Sequence, residues 1–133
     1  MATSRTERWA AWMLITLTTV AFVPSGILKV IQHPAAVEGF SRSGIPQGAI
    51  LPLGIVELAC LALYLIPRTT VLGTLLLTGY LGGATLVNII NRSDFLHALA
   101  VGLFVWAGAW LRVAEFRALV PIRTVRKSQA AAA

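Results

Sequence analysis

Four apolar runs, at residues 10–31, 49–66, 71–90 and 95–111, occupy most of a 133-residue chain. Each approaches the ~20 residues that a helix rising 1.5 Å per residue needs to cross a bilayer. Inside lipid there is no water to satisfy backbone N–H and C=O groups, so a spanning segment bonds to itself and these runs are expected to be helices. Only 12% of the residues are charged, against about 25% in an ordinary soluble domain. The expected fold is all-α: a polytopic membrane protein with four transmembrane helices in an antiparallel bundle. An N-terminal tail at 1–9 and a basic C-terminal tail at 112–133 flank it, and no length is left for a second domain. The first run exceeds the ~7–15-residue core of a signal peptide and is read as an uncleaved helix.

A net charge of +6 would suit nucleic acid, but its distribution suits a membrane instead. Arg5 and Arg8 precede the first run, Arg68 lies between the second and third, and Arg112, Arg117, Arg123, Arg126 and Lys127 follow the fourth. On the other side stand Arg42 and Arg92, with Lys29 just inside the first run. The positive-inside rule then places both termini in the cytoplasm. Anionic lipid headgroups are the expected partners of the basic side. Trp9, Trp12 and Trp110 fall near the same side, where an interfacial aromatic belt would sit.

Glu57 lies near the middle of the second run. A carboxylate at that depth costs ~2.5–3.5 kcal/mol on insertion scales, so its retention implies a compensating partner or a function. Lys29 is on a face with Thr18, Phe22 and Ser25 at helical spacing, in the outer half of the first run. Glu57 sits about 10 Å below the outer end of the second run. Tyr80 and Asn88 in the third run, and His97 opening the fourth, belong to the same outer half. Ser25, Lys29, Glu57, Tyr80, Asn88 and His97 are candidates for lining a cavity with Glu57 at its floor. Two simpler readings stand beside that one: Lys29 and Glu57 only neutralise each other and fix helix register, or Lys29 rises to the headgroups and Glu57 is protonated.

The remaining polar features carry less chemistry. Two histidines, His33 and His97, without a cysteine or carboxylate cluster give no expected metal site. Cys60 is the only cysteine, which excludes a disulfide within the chain. Gly79 and Gly83 have the Gly-x-x-x-Gly spacing that lets helices approach, either within the bundle or between subunits of a homo-oligomer. Pro24 and Pro52 are expected to kink their helices. The loop at 33–46 carries Val37 and Phe40 at helical spacing, as a short interfacial turn would. The stretch 112–127, broken by Pro121, reads as surface-lying, and Ala130 to Ala133 as low complexity.

Several stretches together resemble the DoxX-like family of small bacterial membrane proteins. They are Ser25-Gly26-Ile27-Leu28-Lys29, Val37-Glu38-Gly39-Phe40 with Gly44-Ile45-Pro46, Gly54-Ile55-Val56-Glu57-Leu58 and Tyr64-Leu65-Ile66-Pro67-Arg68-Thr69. Leu72-Gly73, Gly79-Tyr80-Leu81-Gly82-Gly83-Ala84 and Trp106-Ala107-Gly108 to Leu111-Arg112 complete a likeness over roughly residues 20–120. The resemblance implies a four-helix fold in the bacterial inner membrane, with Lys29 and Glu57 as membrane-embedded charges. Where relatives often carry a histidine late in the third span, this chain has Asn88, with His97 as a stand-in from the next helix. The family name links such proteins to thiosulfate:quinone oxidoreduction.

The leading functional expectation is a non-catalytic subunit or anchor beside a quinone-linked membrane redox partner, with no cofactor of its own other than a quinone. The alternative is a small proton-coupled transporter using Glu57. An independent enzyme ranks last, because the sequence supplies no nucleophile, metal cluster or cofactor loop, and no catalytic residue is assigned.

Overall fold

The computed structural model describes residues 4–119. Six α-helices follow in order: α1 (Arg5–Val30), α2 (Pro34–Arg42), α3 (Ile50–Leu65), α4 (Thr70–Ile90), α5 (Leu96–Arg112) and α6 (Ala114–Leu119). A 3₁₀ turn at Gln47–Ala49 leads into α3. No strand occurs among the described residues. The four apolar runs fall on α1, α3, α4 and α5. Three of these, counting the 3₁₀ turn with α3, are long and apolar enough to cross a membrane, and α5 is a shorter apolar helix.

Local chemistry sets the helix ends. Ser4 and Glu7 form a capping box at the start of α1: the Glu7 N–H donates to Ser4 Oγ and the Ser4 N–H to the Glu7 carboxylate. His33 caps α2, its Nδ1 accepting the Ala35 N–H, and Pro34 follows at the first helical position, where a missing donor costs nothing. Helices α1, α2 and α4 end alike. His33, Ile45 and Ser93 donate N–H groups back to the carbonyls of Leu28, Phe40 and Asn88, one residue after a left-handed Gln32, Gly44 or Arg92. Pro52 lies in the first turn of α3, so it removes no bond the helix needs, whereas Pro24 sits inside α1.

The four long helices close into a ring. α1 packs on α3 and α5, α4 packs on α3 and α5, and α1 faces α4 across the middle. The core contains Ile15, Phe22, Leu61, Tyr64, Leu77 and Val105. Large apolar side chains such as Val20, Leu75 and Leu103 point outward, each more than half exposed, as lipid-facing residues do. Close approach falls at glycines that break no helix. A Cβ on Gly54 would lie 2.7 Å from Lys29 Cβ, one on Gly108 would lie 2.5 Å from the Tyr64 hydroxyl, and one on Gly73 would collide with the Tyr64 backbone. Gly79 and Gly83 behave differently, since a Cβ on either would meet nothing within 4 Å.

The α3–α4 turn is fastened by side chains. Thr69 and Thr70 hydroxyls donate to the carbonyls of Leu63 and Tyr64. The Arg112 guanidinium, arriving from α5, donates to Leu65 O at 2.7 Å and Tyr64 O at 3.5 Å. These carbonyls belong to the last turn of α3, which has no partners of its own. Arg112→Met should therefore lower stability by about 1–3 kcal/mol, the penalty for stranding the part-buried Leu65 carbonyl, as read from denaturant unfolding in detergent. An unchanged midpoint would show that water replaces the guanidinium without loss.

The segment after α5 does not lie simply on the surface. Phe116 is fully buried against Trp106 and Trp110, with ring centroids 5.3 and 6.4 Å away. Arg117 donates to the carbonyls of Trp110 and Leu111, ending α5 as Arg112 ends α3. Trp9 and Trp12 are exposed, while Trp110 is half-buried under Phe116. The rest of the expected basic tail, residues 120–133 with Pro121, Arg123, Arg126, Lys127 and Ala130 to Ala133, lies outside the described residues.

Candidate functional site

Lys29 occupies the last turn of α1 and Glu57 the second turn of α3. What brings them together is Gly54, three residues before Glu57 and on the same face of α3. With no side chain there, the Lys29 stem lies against α3 and its ammonium reaches forward to the carboxylate. Lys29 Nζ stands 2.6 Å from Glu57 Oε2 and also donates to Ser25 Oγ at 2.5 Å. Tyr80, from α4 across the ring, donates its hydroxyl to the same Oε2 at 2.9 Å. Lys29 and Glu57 are 8% and 1% exposed, so both charges are withdrawn from the surroundings and each is the other's compensation.

Aromatic rings complete the enclosure. Lys29 Nζ lies 5.8 Å from the centroids of both Phe40 and Tyr80, within cation–π range. Phe22 packs against Tyr80 at 6.3 Å between centroids. The side chain of Phe40 comes from α2, which thereby covers the end of the bundle.

Above this floor is a cavity of about 510 Å³. Most of its wall is apolar, with Phe22, Leu53, Leu81 and Val101 among the lining residues. Asn88 and His97 line it without bonding to the ion pair. Asn88 instead donates from Nδ2 to Asp94 O at 3.4 Å. Of the six residues singled out in the sequence, Ser25, Lys29, Glu57 and Tyr80 form one hydrogen-bonded group, and Asn88 and His97 stand along its wall. Gly79 and Gly83 also line the cavity rather than touching a neighbouring helix of this chain.

A second, wider space of about 940 Å³ adjoins the first and shares Ser25, Lys29, Phe40, Val87 and Asn88 with it. It lies between α2 and the end of α4, where Asn91 Nδ2 donates to Ser43 Oγ. Neither Phe40 nor Ser43 is distinctive in the sequence as a site residue. The helical spacing of Val37 and Phe40 was the only signal that this loop folds back on the bundle.

The arrangement offers two donors, the Lys29 ammonium and the Tyr80 hydroxyl, converging on one carboxylate beside an apolar chamber. No group of three or more His, Cys, Asp or Glu capable of holding a metal occurs among the described residues. Cys60 is a buried free thiol. The site thus places a polar, hydrogen-bonded group at the floor of an apolar pocket.

A family model described as the DoxX-like family matches residues 4–112. No curated protein and no solved structure matches the chain. The family match runs from the capping box of α1 to the last residue of α5 and so includes every residue of the ion-pair site. This membrane protein belongs to the DoxX-like family.

Proposed function

We propose that the protein is a non-catalytic membrane subunit that holds a quinone-class headgroup in its cavity, beside a membrane redox partner. The carrying observation is the meeting of a mostly apolar chamber with the Lys29–Glu57–Tyr80 group at its floor. A volume of about 510 Å³ falls within the ~300–1,000 Å³ of ordinary small-molecule sites, which likewise pair apolar walls with a few placed polar groups. A quinone ring carries carbonyl acceptors that suit the third Lys29 N–H, the one not given to Glu57 or Ser25, and flat faces that suit Phe22 and Phe40. In this reading the four long helices cross the bacterial inner membrane antiparallel to one another, with both termini cytoplasmic.

A second reading, a small proton-coupled transporter using Glu57, draws on a different observation. The cavity continues into the wider space next to it, which gives the carboxylate a route to one end of the bundle. Lys29 on that route disfavours cationic cargo.

The test is purification from native membranes in mild detergent, followed by mass spectrometry of bound small molecules and copurifying proteins. Bound quinone is expected, and a short-chain quinone should quench intrinsic fluorescence on titration. A homo-oligomer carrying neither quinone nor an oxidoreductase would sink the reading and move the question to proton-driven flux, with Glu57→Gln as control.

A further inference from the structure

We propose that the wider space between α2 and the end of α4 is a binding site for one anionic phospholipid, with its phosphate at Arg92 and Arg42. This does not depend on what occupies the inner cavity.

The position of the groove comes first. Trp9 and Trp12 are exposed near one end of α1, and Lys29 lies twenty residues on, about 30 Å further along a helix rising 1.5 Å per residue. That is the thickness of a bilayer's hydrocarbon core, so the groove beside Lys29 sits at the height of the opposite headgroup layer. Its charge comes next. The charged residues lining it are Lys29, Arg42 and Arg92, all basic. Glu38 and Asp94 do not line it: Glu38 pairs with Arg42, and Asp94 accepts the Leu96 N–H at the start of α5. Lys29 is paired with Glu57 and Arg42 with Glu38, which leaves Arg92 as the lining base without an ionic partner among the described residues. Arg92 has no hydrogen bond or ion pair from its guanidinium among the described residues, and it is exposed.

Arg92, like Gln32 after α1, leaves the helical backbone. It holds a left-handed conformation, φ 53°, at the position after α4 where glycine is the usual residue. A non-glycine residue there is strained. Asn91 and Ser93 on either side line the same groove. A planar guanidinium matches phosphate oxygens in pairs, which a strongly hydrated ammonium does not. The same lining includes the apolar side chains of Leu28, Ala36, Val87 and Ile90, surface against which an acyl chain can lie. A phosphate on an arginine beside hydrocarbon describes a phospholipid, and the unpaired charge of Arg92 selects the anionic kind.

The full chain in mild detergent would be titrated with phosphatidylglycerol and, separately, phosphatidylcholine, and the bound lipid counted by native mass spectrometry. One tightly held phosphatidylglycerol is expected, preferred over phosphatidylcholine by about tenfold or more if the arginines make charge-assisted bonds. Arg92→Asn should remove most of the preference. Asparagine tolerates the left-handed backbone, so this variant keeps the fold. Adding Arg42→Gln should remove the rest. Arg5→Gln with Arg8→Gln, which deletes the same charge at the other end of α1, should leave the preference intact. Equal loss in both double variants would mean diffuse electrostatics and overturn the site. Displacement of the lipid by millimolar inorganic phosphate would reassign the groove to a free anion, and retention of the preference in Arg92→Asn with Arg42→Gln would remove it altogether.

Discussion

Lys29→Met should destabilise the protein by about 3–5 kcal/mol, because it leaves Glu57 charged and buried with only the Tyr80 hydroxyl for company. Glu57→Met should cost a comparable amount by stranding the ammonium, which keeps only Ser25 Oγ as a close acceptor. The two together should recover most of the loss. Replacing a whole buried ion pair by apolar side chains of similar size ranges from neutral to ~4 kcal/mol stabilising. The residual deficit of the double variant should match one unpaired Tyr80 hydroxyl, about 1–3 kcal/mol. Unfolding titrations in detergent on the wild type, both single variants and the double variant close the cycle. Additive single effects would show that the two charges do not interact, contrary to their 2.6 Å separation.

Gly73→Ala should be the most damaging of the small-to-larger changes at the α3–α4 interface. Its new methyl would run into the backbone of Tyr64, which has no rotamer to yield, so the helices must part. Overpacking of this kind costs about 1–3 kcal/mol, and Tyr64 adds to it because its hydroxyl is itself placed by a bond to Val105 O. Gly79→Ala and Gly83→Ala are the contrast. Their methyls meet nothing within 4 Å, and alanine is the better helix former by about 1 kcal/mol, so neutral or slightly stabilising effects are expected. Unfolding midpoints for the three variants decide. If Gly79→Ala proves as costly as Gly73→Ala, a second copy of the chain packs on that face.

That contrast also marks how far the sequence could be read. Long apolar runs identify helices because the backbone in lipid has no alternative, and a carboxylate inside one of them is conspicuous for the same reason. Glu57 and the face bearing Thr18, Phe22 and Lys29 were therefore legible from residue type and spacing. The pairing itself was not. It depends on how closely α1 approaches α3, and Gly54, which permits that approach, looks in the sequence like any other glycine. The Gly-x-x-x-Gly motif attracted the packing assignment, yet within this chain contact falls on Gly26, Gly54, Gly73 and Gly108. A motif records small side chains, whereas contact also depends on the rotation of the helix about its axis. Phe40, Phe116 and Arg112 were obscure for a related reason: each acts on a distant element, and nothing in its own neighbourhood announces the partner.

Taken together, the two charges of the buried pair sum to zero. A transmembrane voltage acts on net charge, so while Lys29 and Glu57 are joined it does almost no work on the floor of the cavity. Adding one proton to Glu57 changes this. The lysine charge is then left alone in the membrane field, where one elementary charge carried across the full potential is worth about 2.3 kcal/mol per 100 mV. The same pair that makes the bundle electrically silent at rest is what would make any protonated state of it sensitive to membrane energisation.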